Sequence, residues 1–211
     1  DAKTKLVFQD NIIHMSELEL SDNGLKINGK LKADLNNPTP YFEANLVTEK
    51  LSFDYLEQKL SHFNIAGFSE TNIPLSGDLQ AKLDFSGNLN SAKANGKIYS
   101  NNTVIEVGEN QLPTDNLKFI FNLDENSTLS VEDFEIVAGE SKMNLSGDIT
   151  KKGYNLSYNG QKLDSRQFDI NFPFNTIADF SGKVEGELED PLFSGKLNLR
   201  EMSYEQINFD K

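Results

Sequence analysis

The sequence predicts an all-β protein: an elongated antiparallel sheet built from successive strands, with one short helix. Three observations carry this. Apolar and polar residues alternate with a period of two, as in Leu79, Ala81, Leu83 and Phe85 against Gln80, Lys82 and Asp84, which sends each set to its own face of a pleated strand. A cue of Ser or Asn, then Gly, a polar residue and an aliphatic one recurs at Gly29, Gly77, Gly87, Gly96, Gly147, Gly182 and Gly195. At 29, 96, 182 and 195 the glycine falls on the apolar phase of its own strand, which points to close packing or a bulge there and not to a turn. Helical spacing, the third observation, appears only once.

In chain order, Leu6 and Phe8 mark a first strand and Ile12 to Leu20 a second of ragged phase. Asp22-Asn23-Gly24 is a turn signal, because Asn and Gly accept positive φ. Leu25, Ile27, Gly29, Leu31, Ala33 and Leu35 then alternate without a break until Asn36-Asn37-Pro38-Thr39-Pro40 turns the chain into Phe42, Ala44 and Leu46. Ser52 can cap a helix over residues 52–60, with Leu56, Leu60 and Phe63 at spacings of four and three. Two turns have little stability alone, so the apolar face of that helix must cover an open end or edge of the sheet.

The central strand pair from Leu79 to Tyr99 follows, then a short strand at Val104 to Val107 and a loop from Gln111 to Asn116. Leu117, Phe119, Phe121 and Leu123 form a heavy apolar face, and Ile120 on the opposite phase suggests a strand covered on both sides. Leu129 to Val131 and Phe134 to Ala138 differ in phase, which predicts a bulge near Glu132-Asp133. Further strands run through Met143 to Ile149, Tyr154 to Tyr158, Phe168 to Phe172, Ala178 to Leu188 and Phe193 to Leu199. About fifteen strands stacked at about 4.8 Å make an object roughly 70 Å long. A flat sheet of that length coils or curls, so it folds over lengthwise, closes into a barrel or splits into a sandwich.

Nothing in the middle of the 211 residues looks like a linker, so 1–211 reads as one module. A net charge of −13 argues against nucleic acid and anionic membrane surfaces, which want clustered Lys and Arg. No stretch approaches a membrane-spanning length, the start has no signal-peptide shape, and the abrupt ends suggest a segment of a longer protein. With no Cys and only His14 and His62, no zinc site or Cys-His pair is expected, and no catalytic motif appears. Carboxylates are abundant, and pairs such as Asp34 with Glu49 could in principle meet, but solvated strand faces are full of Asp and Glu with no task; Glu132-Asp133 and Glu187-Leu188-Glu189-Asp190 lack EF-hand spacing and read as solvated faces too. The expectation is a protein without catalytic residues, metal or cofactor.

From pattern alone the preferred fate of such strands is a sandwich whose apolar faces close on each other, with a trough open to a long apolar ligand as the other outcome. Residues 76–89, Ser-Gly-Asp-Leu-Gln-Ala-Lys-Leu-Asp-Phe-Ser-Gly-Asn-Leu, and residues 180–199, with Gly-x-Leu, Pro and Gly-x-Leu in turn, resemble the repeating texture of the TamB and AsmA-like proteins. That resemblance covers most of the chain and turns the preference to the trough. It implies a periplasmic β-taco with a hydrophobic groove, part of a protein anchored in the inner membrane. It also implies an Omp85-type outer-membrane partner and phospholipid transport between the membranes, with outer-membrane protein assembly as the competing assignment. The residues expected to line the groove and meet acyl chains are Leu79, Leu83, Phe85, Leu117, Phe119, Phe121, Met143, Leu145, Phe168, Ile170, Phe172, Phe180, Val184 and Leu188. Two rivals stand beside this: a scaffold that adds a strand from an unfolded outer-membrane protein, and a closed sandwich serving as adhesin or spacer.

Overall fold

Alternation of one residue in two becomes strand after strand in the computed structural model, which describes residues 1–22, 25–53, 55, 75–88, 91–107, 110–168, 175–204 and 207–209. The strands are β1 (Ala2–Gln9), β2 (Ile12–Asp22), β3 (Leu25–Asp34), β4 (Tyr41–Ser52), β5 (Leu75–Ser76), β6 (Asp78–Asn88), β7 (Ser91–Ser100) and β8 (Val104–Val107). They continue with β9 (Asn110–Pro113), β10 (Asn116–Leu123), β11 (Leu129–Ala138), β12 (Ser141–Ile149), β13 (Gly153–Asp164), β14 (Asn175–Glu187), β15 (Pro191–Tyr204) and β16 (Ile207–Phe209). A single helical turn, α1 (Ser165–Phe168), joins β13 to β14. Thirteen strands form one open antiparallel sheet in the order β1-β2-β3-β4-β6-β7-β10-β11-β12-β13-β14-β15-β16, and β5, β8 and β9 form a second, small one.

The register carries one parity across the large sheet. A row runs from Leu18 through Leu46, Leu83, Phe121, Val131, Leu156 and Val184 to Phe193, each residue on the same face as the last. A neighbouring row runs through Ile98, Phe119, Phe134, Leu145 and Tyr158. Where a strand's own phase breaks, a bulge restores it. The ragged phase of β2 comes from an irregularity between Met15 and Leu18, with Glu17 at φ 57. In β11, Glu132 and Asp133 lie between Val131 and Phe134 at the register shift, as their spacing predicts.

Six of the seven glycine cues fall into two groups. Gly77, Gly87 and Gly147 hold φ of 116, 139 and 127, a backbone open to glycine. Gly96, Gly182 and Gly195 instead make room for rings: Phe121 lies over Gly96, and Tyr158 reaches across Gly182 to Gly195, where its hydroxyl donates to the Ser194 carbonyl at 3.2 Å. Replacing Tyr158 with Phe is expected to cost about 1 kcal/mol in urea unfolding, the net worth of that hydrogen bond.

The two rims of the sheet differ. At one, strands are joined by tight turns; at the other, the small sheet, α1 and the start of the capped segment gather. Ser52 Oγ accepts the Tyr55 N–H at 3.2 Å, and Phe53 and Tyr55 are helical, so the predicted cap is present; the rest of the predicted helix lies outside the described residues, as does the turn at Asn23-Gly24. Phe53 packs on Leu79 and Leu117 with Leu51, Leu75 and Ile98 around them. That cluster covers the apolar face at this rim from β4 to β10. Elsewhere the face is half-buried: large apolar side chains below a tenth exposure are few among the described residues, namely Phe53, Leu79, Leu112, Leu117, Val131 and Leu156. The accessible surface of 14207 Å² compares with roughly 9,800 Å² for a compact chain of this mass. Small-angle scattering is expected to give a radius of gyration well above the roughly 17 Å of a compact chain of this length; a value near it would contradict a long single-layer sheet.

On the polar face, cross-strand pairs replace packing. Asn45 donates to Asp84, Asn122 donates to Asn95, and Ser130 donates to Asp148 at 2.6 Å, along one row. Lys118 pairs with Asp133 at 2.5 Å and Lys142 with Glu135 at 2.6 Å. Ile120 has Lys97 and Asp133 as cross-strand neighbours, so its strand does not meet a second apolar layer there. The Lys142 ammonium holds the Glu135 carboxyl below its ordinary 4.5, and the backbone N–H groups of Asn36 and Thr128 do the same for Asp34 and Asp124 relative to 3.8. A carboxylate lowered by folding stabilises above its unfolded value and loses that contribution as pH falls through the folded one. Urea midpoints are therefore expected to stay level from pH 7 to 5 and to fall towards pH 3.

Candidate functional site

The apolar face of the large sheet is the candidate site, and the register decides which residues reach it. Leu83, Phe85, Phe119, Phe121, Met143, Leu145, Phe180 and Val184 all stand on it, half-buried. Leu79 and Leu117 stand on the same face but are 3% and 4% exposed under Phe53, so they pack on protein and offer nothing to a ligand. Phe168 belongs to α1 and not to a strand, because the chain leaves the sheet after Asp164 in a helical turn where the Arg166 N–H and guanidinium both bond the Asp164 carboxylate. Ile170 and Phe172 lie outside the described residues. Leu188 sits in the turn after β14, exposed.

Between β11 and β15 the face deepens into an apolar recess of about 300 Å³, lined by Phe134, Met143, Leu145, Tyr158, Phe180 and Phe193 with the stems of Asn144 and Asn159 at its margin. Rings along this face, in the recess and beside it, contact one another. Phe119 stacks on Phe121 at 5.0 Å and meets Phe134 edge-on at 5.9 Å, and Tyr158 tilts against Phe180 at 5.8 Å. The recess opens at β15, where Phe193 is 72% exposed. Phe134, Tyr158 and Phe193 are absent from the residues the sequence nominated. Their signal was present: carrying parity across the 132–133 bulge places Phe134 beside Phe119, and the glycine at 182 on the apolar phase marks the path of the Tyr158 ring.

The two traced rows carry no charged side chain, and the one hydroxyl at the recess, that of Tyr158, is satisfied by Ser194. Such a surface can remove apolar matter from water at about 25 cal/mol per Å². The carboxylates that might have formed a polar site are dispersed. Asp34 bonds Asn36 near one rim while Glu49 bonds Lys26 and Asn28 near the other, so these two do not meet. Asp133 is paired with Lys118, His14 is exposed on β2, and His62 lies outside the described residues. Among the described residues no group of three or more His, Asp or Glu gathers as metal ligands, and no helix is long and apolar enough to cross a membrane. The chain matches no family model, no curated protein and no solved structure.

Proposed function

We propose that this chain is a non-catalytic segment that shelters the acyl chains of lipids on its apolar face, with head groups left in water. One observation carries the reading: a thirteen-stranded open sheet keeps a single apolar parity from edge to edge, yet leaves most of that face half-exposed. A contiguous uncovered apolar surface of this extent is the mark of an interaction site. Its lining is uniform, and each methylene gains about 0.8 kcal/mol wherever it is buried, so a chain can slide along the rows at nearly level energy. Direction must come from elsewhere. The sheet folding lengthwise into a trough, the periplasmic setting and phospholipid passage between two membranes are what the resemblance to TamB and AsmA-like proteins adds.

Native mass spectrometry of the purified protein is the test, and co-purified phospholipid is expected. A photo-crosslinking residue at Leu83 or Phe85 should capture lipid in cells, while the same probe at Lys82 or Asp84, on the other face, should not. Equal capture at both parities would end the proposal.

A further inference from the structure

Opposite charges pair across the strands of the polar face, as Lys32 with Glu43 and Lys142 with Glu135 do, but between β6 and β7 they do not. There, in the interior of the sheet, Lys82 stands directly opposite Lys97, and one step along the same strands Gln80 stands opposite Tyr99. All four are exposed, and among the described residues none has a hydrogen-bond or ion-pair partner. Like charges directly opposed destabilise a strand pair. Lys26 and Lys50 are opposed in the same way, yet each has its own carboxylate, Glu49 and Asp78. For Lys82 and Lys97 the neighbouring strands bring none: Val47 of β4 lies beside Lys82, and Ile120 of β10 beside Lys97. The carboxylates bordering the block are taken, Asp84 by Asn45, Asp78 by Lys50 and Asp133 by Lys118.

We propose that Lys82, Lys97, Tyr99 and Gln80 form a binding site for a phosphate monoester on the polar face. The Cβ atoms of directly opposed residues lie about 4.5–5.5 Å apart, so two flexible ammonium groups can close on one phosphate group. Charge-assisted bonds to phosphate are the strong ones, and a bridging anion turns the repulsion of the two lysines into attraction. Tyr99 and Gln80, about 6.8 Å further along the strands, add a hydroxyl and an amide as neutral donors. Val47 and Tyr99, 40% and 38% exposed, leave apolar surface beside the lysines for the carbon part of an ester. Charges further off than about 8 Å are largely screened at physiological ionic strength, so the net −13 of the chain does not decide what this block attracts. The apolar face lies on the other side of the same layer, which makes this site independent of lipid sheltering.

The test is an NMR titration of the whole chain with inorganic phosphate at constant ionic strength, beside sedimentation with phosphatidylcholine vesicles that contain or lack phosphatidic acid. Saturable shifts of the amide signals of residues 80–82 and 97–99 with phosphate would assign a soluble ester. Sedimentation that needs phosphatidic acid, without those shifts, would assign the same chemistry to a head group in a bilayer. Lys82→Gln with Lys97→Gln should weaken whichever response is seen by about tenfold or more, because both charges are gone. Lys97→Glu sets a carboxylate opposite Lys82 and should abolish the response while raising the urea midpoint. No response in either arm, a response that survives the double glutamine change, or a lowered midpoint in Lys97→Glu would each overturn the proposal.

Discussion

Leu117→Glu is expected to unfold the protein, and Leu83→Glu to leave it folded but empty. Both residues stand on the apolar face of the same sheet, and their sequence surroundings are alike. Leu117 is 4% exposed beneath Phe53 and beside Leu79, so a carboxylate there is buried without a partner and costs about 3–5 kcal/mol, a large part of a typical folding free energy. Leu83 is half-buried between Leu46 and Gly96, with water within reach of a longer side chain. Its carboxylate keeps partial hydration and disturbs the fold little, while placing a charge in the path of an acyl chain. Urea unfolding should separate the two by most of that 3–5 kcal/mol, and native mass spectrometry should find Leu83→Glu without lipid. If Leu83→Glu unfolds the chain as Leu117→Glu does, the face is closed and the sheltering of lipids is wrong.

The second large effect is a change of sign. Gly96→Ala in the native chain places a methyl group where the Phe121 ring lies, and that ring is held by its stack on Phe119. The ring must leave its place, at a cost of about 1–3 kcal/mol. With Phe121→Ala already present, the obstruction is gone, and the same Gly96→Ala change should stabilise by about 0.4–1 kcal/mol through the unfolded state. The three nearest atoms to a side chain at 96 all belong to that ring, so the cycle reads that contact. Equal effects of Gly96→Ala in both backgrounds would show that Phe121 does not rest on the glycine.

The periodicity that made the strands legible is a local property, and it succeeded wherever the local neighbour across the sheet is also the next strand in the chain. β3, β6, β10 and β12 all follow from alternation, and the β11 bulge follows from a break in it. What lay outside reach was coverage. Leu79 and Leu117 are closed off by Phe53, which directly follows β4, and by Leu75 of the small sheet, and alternation within β6 and β10 does not show which of their residues lie beneath these two. Pro113 made residues 111–116 look like a loop, yet Asn110–Pro113 is β9, at the edge of its sheet where a missing N–H is tolerated. Phe168 kept the apolar parity expected of a strand, and parity over so short a stretch cannot tell a strand from a turn of helix. Tyr158 shares the phase of Leu156, but the partner of its hydroxyl, the Ser194 carbonyl two strands away, is not something alternation within one strand can show.

The contrast between the two rims has a bearing on how such a chain can change length and how it folds. Each hairpin leaves by the plain-turn rim and returns to the other, so removing or duplicating two adjacent strands restores both strand direction and facing. A single strand gained or lost would send every later insertion to the wrong rim. The heritable unit is therefore the strand pair. Because most strand pairings join chain neighbours, assembly resembles a row of tiles, each settled by the one beside it, with little entropy spent closing distant loops. Within the large sheet the exceptions are β4 with β6 and β7 with β10, whose pairing waits on residues 53–77 and 101–115, and these two seams are where folding should pause.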